Sequence, residues 1–278
     1  LSKNIYEKKR TIFLPKNYSQ FKFNSEASTI KKLNFNQGEI LYSKDLILEI
    51  LSDNKEINIT QTKPDDWILF LNINFNQWDI NFKGINLNHK KKNFDRINYY
   101  GMTGCINFYN VEFDNTKIFS TNGLCEDSIN LINSYGLIKL IDIKNASADG
   151  LDADFSNIKI NQLNIEFAAN DCVDFSKGKY DIYNIDLFEC KDKGISVGEE
   201  SILKLKKGSV KKSNIGIASK DSSIADIKNV IFKNVDTCFS SYNKKQEFYG
   251  SLLTVQNSNC ENYVKKLYID NQSTVKIN

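Results

Sequence analysis

Several residue types are scarce in this chain. Its 278 residues include one histidine, one methionine, two tryptophans and two prolines, and the net charge is only +3. The histidine, His89, stands in the basic stretch His89-Lys90-Lys91-Lys92 with no partner assignable from sequence. It therefore reads as an incidental surface residue rather than a general base, and the stretch as a solvated turn. Balanced charge with scattered lysines offers no basic footprint, so no nucleic-acid partner is expected. No apolar run approaches the ~20 residues that cross a bilayer, and the N-terminus lacks a signal-peptide pattern, so no membrane span is expected. The chain opens Leu1-Ser2-Lys3 instead of with Met, which leads us to expect a piece of a longer protein. Pro15 and Pro64 are the only prolines, beside abundant Asn, Ile and Lys; this balance reads as a coding bias and weighs little on function.

The six cysteines, Cys105, Cys125, Cys172, Cys190, Cys238 and Cys260, show no CxxC or other metal-ligand spacing, so no zinc site is expected. They read as small buried fillers. Free thiols favour a reducing compartment, so a cytoplasmic location is expected, although six cysteines of a secreted protein could pair in ways that spacing does not reveal.

What the sequence does have is a 22-residue step. The blocks Asp127-Ser128-Ile129-Asn130, Asp149-Gly150-Leu151-Asp152, Asp171-Cys172-Val173-Asp174, Lys193-Gly194-Ile195-Ser196, Ile215-Gly216-Ile217-Ala218 and Thr237-Cys238-Phe239-Ser240 each begin 22 residues after the last. Short β-branched runs at that period indicate a β-helix solenoid, which grows by adding coils and so makes one elongated domain. Position three is always apolar, and Leu131, Ala153, Phe175 and Val197 follow two residues later, the period of one strand face pointing inward. Asp127, Asp149 and Asp171 then form one external column, and Asn130, Asp152 and Asp174 another, with neighbours roughly 4.8 Å apart.

Residues 1–60 read as an N-terminal cap and opening coils, with apolar runs Thr11-Ile12-Phe13-Leu14 and Phe21-Lys22-Phe23, and a run from Leu46 to Leu51 that could be a short capping helix. Residues 61–278 read as the parallel β-helix. No linker divides them. Trp67 and Trp78 are the best candidates for sugar-stacking platforms, though packing in the core is the more common use of such residues.

These strings resemble the right-handed parallel β-helix proteins of the pectin-lyase-like superfamily, and within it the polygalacturonase-type glycoside hydrolases. That family carries Asn-Thr-Asp, Asp-Asp, Gly-His-Gly and Arg-Ile-Lys. Here the matching strings are Ala148-Asp149-Gly150, Asn170-Asp171-Cys172, Lys193-Gly194-Ile195-Ser196-Val197-Gly198 and Asp226-Ile227-Lys228. The resemblance implies an all-β, single-stranded right-handed solenoid that processes a polysaccharide, with Asp149 and Asp171 at two of three catalytic carboxylates and Lys228 on a uronate carboxylate. Three positions depart: Asn170 stands for a catalytic Asp, Lys193 for the His and Asp226 for the Arg. An amide cannot protonate a leaving oxygen, so hydrolysis needs Asp171 or another group as acid.

Stacked carboxylates disfavour joint ionisation, so one of Asp149 and Asp171 is expected to have a raised pKa, opposed by Lys193. A second route is β-elimination or epimerisation of a uronate, with Lys193 as base and Ca²⁺ on Asp149, Asp152, Asp171 and Asp174. The hydrolytic route requires no cofactor. Glu126 and Asp192 lie at the shoulder of the same face and, with Asp127 and Asn170, are candidate substrate contacts. The rival expectation is a non-catalytic β-helix that binds glycan or acts as a scaffold. Asp crowds into coils 127–174 and gives way to Ser196, Ala218 and Ser240, which favours a local site over an even polar ladder.

Overall fold

The computed structural model describes residues 30–64, 66–85 and 96–278. The runs at 11–14 and 21–23, Pro15 and the basic stretch at 89–92 lie outside them.

From Gly104 onward each coil contributes three strand segments, and each segment pairs in parallel with the one a coil later. In the first stack Tyr135, Asn157, Lys179 and Ile202 are successive partners. In the second, Ile141, Leu163, Ile185 and Gly208 are. The third runs Ile129, Leu151, Val173, Ile195, Ile217 and Phe239. The 22-residue step of the sequence is thus the hydrogen-bond register of a parallel β-solenoid. Inward residues of all three stacks meet along the axis: Ile129, Leu151, Val173, Ile195, Ile217 and Phe239 are all buried, as are their second-row neighbours Leu131, Ala153, Phe175 and Val197. A ladder of apolar side chains at the same phase continues the core from coil to coil, so each added coil lengthens it.

Polar residues hold the corners. Asn122 and Asn145 take left-handed backbone at φ 57° and 58°, and the amide of Asn145 donates to Asn122 Oδ1 at 3.0 Å. Asparagine tolerates that region better than other non-glycine residues, so part of its abundance has a structural use that composition alone does not reveal. At another corner Ser134 and Ser156 form a ladder: the Ser134 amide donates to Ser156 Oγ at 3.0 Å, and the two hydroxyls donate to the carbonyls of Ile132 and Asp154. Corner backbone that the sheets leave unpaired is satisfied this way.

The N-terminal end departs from the parallel rule. Ile30–Phe35 pairs antiparallel with Gly38–Ser43, which pairs antiparallel with Ile68–Leu71. The expected capping helix at 46–51 is a strand, Ile47–Leu51, antiparallel to Glu56–Thr60 through a 3-10 turn at Ser52–Asn54. Its period is two rather than 3.6: Leu46, Leu48 and Ile50 pack on the core while Ile47 faces out. The tryptophans are core residues; Trp78 sits edge-on to Phe35 at 5.0 Å and Trp67 edge-on to Tyr100 at 5.6 Å.

The cysteines are paired, which corrects their reading as free fillers. Bridges join Cys105 to Cys125, Cys172 to Cys190 and Cys238 to Cys260, with Cα separations of 5.4, 5.2 and 6.4 Å. Each spans 18 to 22 residues, less than or equal to one turn of the solenoid. Going once round brings the chain back beside itself, so cysteines about one coil apart in sequence become neighbours in space. Cys172 and Cys238, three coils apart in one column, are not partners.

Candidate functional site

The third stack carries the acids. Asp127 and Asp149 are register partners, Asn130, Asp152 and Asp174 continue one column, and Lys193 enters that stack one step beyond Asp171. The ladder expected from sequence therefore exists, but part of it is not external. Asp127 and Asp171 are only 2% and 3% exposed, and Asn130 is likewise buried, whereas Asp149, Asp152 and Asp174 are partly accessible.

Asp149 is anchored as an acceptor. Its Oδ1 receives the Asn170 amide at 2.7 Å and the Asp171 backbone N–H at 2.7 Å. Burial nonetheless lifts its pKa to about 6, with these two donors opposing the rise. Asp171 receives the Lys193 backbone N–H at 2.9 Å and faces the Lys193 ammonium at 3.3 Å. Burial outweighs that cation and raises Asp171 to about 7. The competition between repulsion and Lys193 expected from sequence is thus decided by a third influence, desolvation.

Burial also works against the charge of Lys193, yet Asp171 and Asp192 more than compensate and hold its ammonium above the ordinary range. Asp192 Oδ2 is its second ion-pair partner. Asp127 is raised to about 8 by burial, against a hydrogen bond from the Thr103 side chain. Asp152, which takes the Asn130 amide on Oδ2 at 2.8 Å, is raised well above the usual carboxylate range by burial and then by Asp127.

Asp154 joins the site and Phe155 follows it in the chain; sequence reasoning missed both. Asp154 lies two positions beyond Asp152 on the same strand, Asp149–Asp154, and burial followed by Asp174 lifts it to about 6. The alternation Asp152-Ala153-Asp154, with Ala153 inward, was the available signal. Phe155 follows it at a left-handed φ of 52° and is 59% exposed. An aromatic held in that region and open to solvent is a better platform than either buried tryptophan.

One expected contact is not brought here. Lys228 ends the strand Ile224–Lys228 of the first stack, paired with Gln256, while Lys193 belongs to the third. Matching a short string at the wrong phase of the coil places it on another sheet. Glu126 stays at the shoulder, 3.4 Å from Arg96. Among the described residues no group of three or more His, Cys, Asp or Glu side chains could hold a metal ion. The acids follow the strands instead of converging on a point.

No family model matches the chain, and no curated protein does. Among solved structures it is similar to the catalytic domain of a GH87 alpha-1,3-glucanase in complex with nigerose, at 11% identity and a TM-score of 0.25. A substituted form of that domain gives 11% and 0.26. Both comparisons cover 78% of this chain and 56% of the other, so the chain spans little more than half the length of those domains.

Proposed function

We propose that the third stack binds a polysaccharide and hydrolyses it, with Asp152 as general acid and Asp149 as base. The observation that carries this reading is a pair of partly accessible carboxyls on one strand whose environments differ in kind. Asp149 is anchored by two N–H donors and ionises near 6. Burial, and then the neighbouring Asp127, Asp154 and Asp174, favour the protonated form of Asp152. Pairs pushed apart in this way supply an acid and a base at one pH. Asp152 thereby takes the role that Asn170 cannot. Lys193, held as an ammonium by two carboxylates, has no lone pair with which to abstract a proton, which weighs against the lyase route.

The test is product analysis by mass spectrometry on a panel of bacterial and plant polysaccharides, beside Asp149→Asn and Asp152→Asn. Hydrated fragments that fall by about 10²–10⁴-fold in each variant support the assignment. Undiminished turnover in both would sink it. One observation favours a second reading, a non-catalytic glycan-binding module: the Asn170 amide is committed to Asp149. Binding without fragments would establish that reading. Three disulfides suit an oxidising compartment, so we place the protein at the cell surface or outside the cell rather than in the cytoplasm.

A further inference from the structure

Five carboxyls on this face, Asp127, Asp149, Asp152, Asp154 and Asp174, have no cationic side chain at ion-pair distance among the described residues. The cations nearby are engaged elsewhere: Lys193 with Asp171 and Asp192, Arg96 with Glu126, Lys245 with Glu199. Lys220, three coils beyond Asp154, leans back over Gly198, which is two coils beyond it in the same column.

The hydrogen-bond inventory is as one-sided as the charge. Asp127 Oδ2, Asn130 Oδ1 and Asp174 Oδ1 are buried acceptors with no partner, and Ser196 Oγ is also unpartnered. Asn130 and Ser196 are 1% and 0% exposed. Three of these atoms belong to one column, Asn130, Asp152, Asp174 and Ser196, whose rungs are register partners about 4.8 Å apart. Buried polar atoms without partners are rare enough to require a cause.

Whatever completes this column must therefore be elongated, rich in donors and positive. A single metal ion does not suit acids that fail to converge. A uronate or sulfated glycan would bring further acceptors and like charge. Neutral sugar hydroxyls supply donors but leave the carboxylates uncompensated, whereas an ammonium supplies three donors and a charge.

We propose that this face receives a glycan bearing unsubstituted amino groups, a hexosamine polymer whose ammonium groups pair with the partly accessible carboxyls of Asp154 and Asp174. This rests on the glycan-binding reading of the face and narrows it to a substrate class.

Isothermal titration of the whole chain at pH 6 with four probes tests it: a glucosamine hexamer, its N-acetylated counterpart, a galacturonate hexamer and hexalysine. The glucosamine hexamer is expected to bind at least about tenfold more tightly than the acetylated one, a difference of about 1.4 kcal/mol. Asp174→Asn should erase that preference. Asp142→Asn, which removes the same charge from the second stack, should keep it. Circular dichroism shows whether the variants retain the fold.

Equal or tighter binding of the acetylated or galacturonate hexamer overturns the amine assignment and leaves glycan binding standing. Hexalysine matching glucosamine also overturns it, because attraction would then need no sugar. If none of the three hexamers binds, this inference falls, while the function proposed above still stands or falls on its own polysaccharide panel.

Discussion

The first three acid-bearing coils and the three that follow share a register, a core ladder and a sheet, yet their outward residues differ in kind. In one column Asn130, Asp152 and Asp174 give way to Ser196, Ala218 and Ser240; in another, Asp127, Asp149 and Asp171 give way to Lys193, Ile215 and Thr237. Ile195, Ile217 and Phe239 are as buried as Ile129, Leu151 and Val173, so the later coils stack equally well without any acid at these positions. The acids are therefore not what the fold needs. Carboxyls raised to about 6, 7 and 8 are costly to keep ionised at neutral pH, and that cost falls on one half of a repetitive structure, which is what the proposed site would require.

The strongest way to break that comparison is Asp152→Asn, expected to remove about 10²–10⁴-fold of the turnover while leaving the far-ultraviolet circular dichroism unchanged. A matching substitution in the later coils, Ser240→Asn, should leave turnover intact in the same assay.

Next in size is Cys172→Ser. Cys172 follows Asp171 and is tied to Cys190, so its loss is expected to cost about 2–5 kcal/mol, read as a drop in chemical-denaturation midpoint. A smaller loss would show that the apolar ladder alone holds the acid coils together.

Lys193→Met sharpens the boundary between the two regions. It leaves Asp171 buried without its cation, which should cost about 3–5 kcal/mol above pH 7 and much less near pH 4, where the carboxyl is protonated. Denaturation midpoints at the two pH values provide the check.

The pH dependence of the fold gives a gentler test. A folded pKa raised above the unfolded value means that the native state binds the extra proton, so Asp127 favours folding below about pH 4 and progressively disfavours it as pH rises towards 8. Asp127→Asn should flatten that decline, gaining several degrees of Tm at pH 8 relative to the parent and little at pH 4. A Tm difference independent of pH would remove Asp127 from the account. The smallest effect is expected from Ser196→Ala: its hydroxyl is unpartnered, so stability should change by less than about 1 kcal/mol.

The fold was legible because a solenoid repeats its demands. Each coil must place apolar residues at the same phase, so period and parity together exposed the stacking of Ile129 through Phe239. The acid ladder was legible for the same reason. The hairpin at 47–60 was less so, because a six-residue apolar run does not distinguish strand from helix without its neighbours. Asp154 was not legible in the columns, because its own row, Ile132, Asp154 and Ser176, holds a single acid and carries no repeating signal.

Sequence by itself determined the coil length, the inward and outward parity, and which acids share a column, all of which follow from local geometry repeated in register. Only the tertiary structure decided the rest. It paired the cysteines, because cysteines about one coil apart are brought together only when the chain has gone round. It put Lys228 on another sheet, because phase around the coil is not visible in a short string. It also buried Asp127 and Asp171 while leaving Asp149 and Asp152 reachable, because desolvation depends on what stands above, below and beside a side chain, and that is a property of the assembled stack.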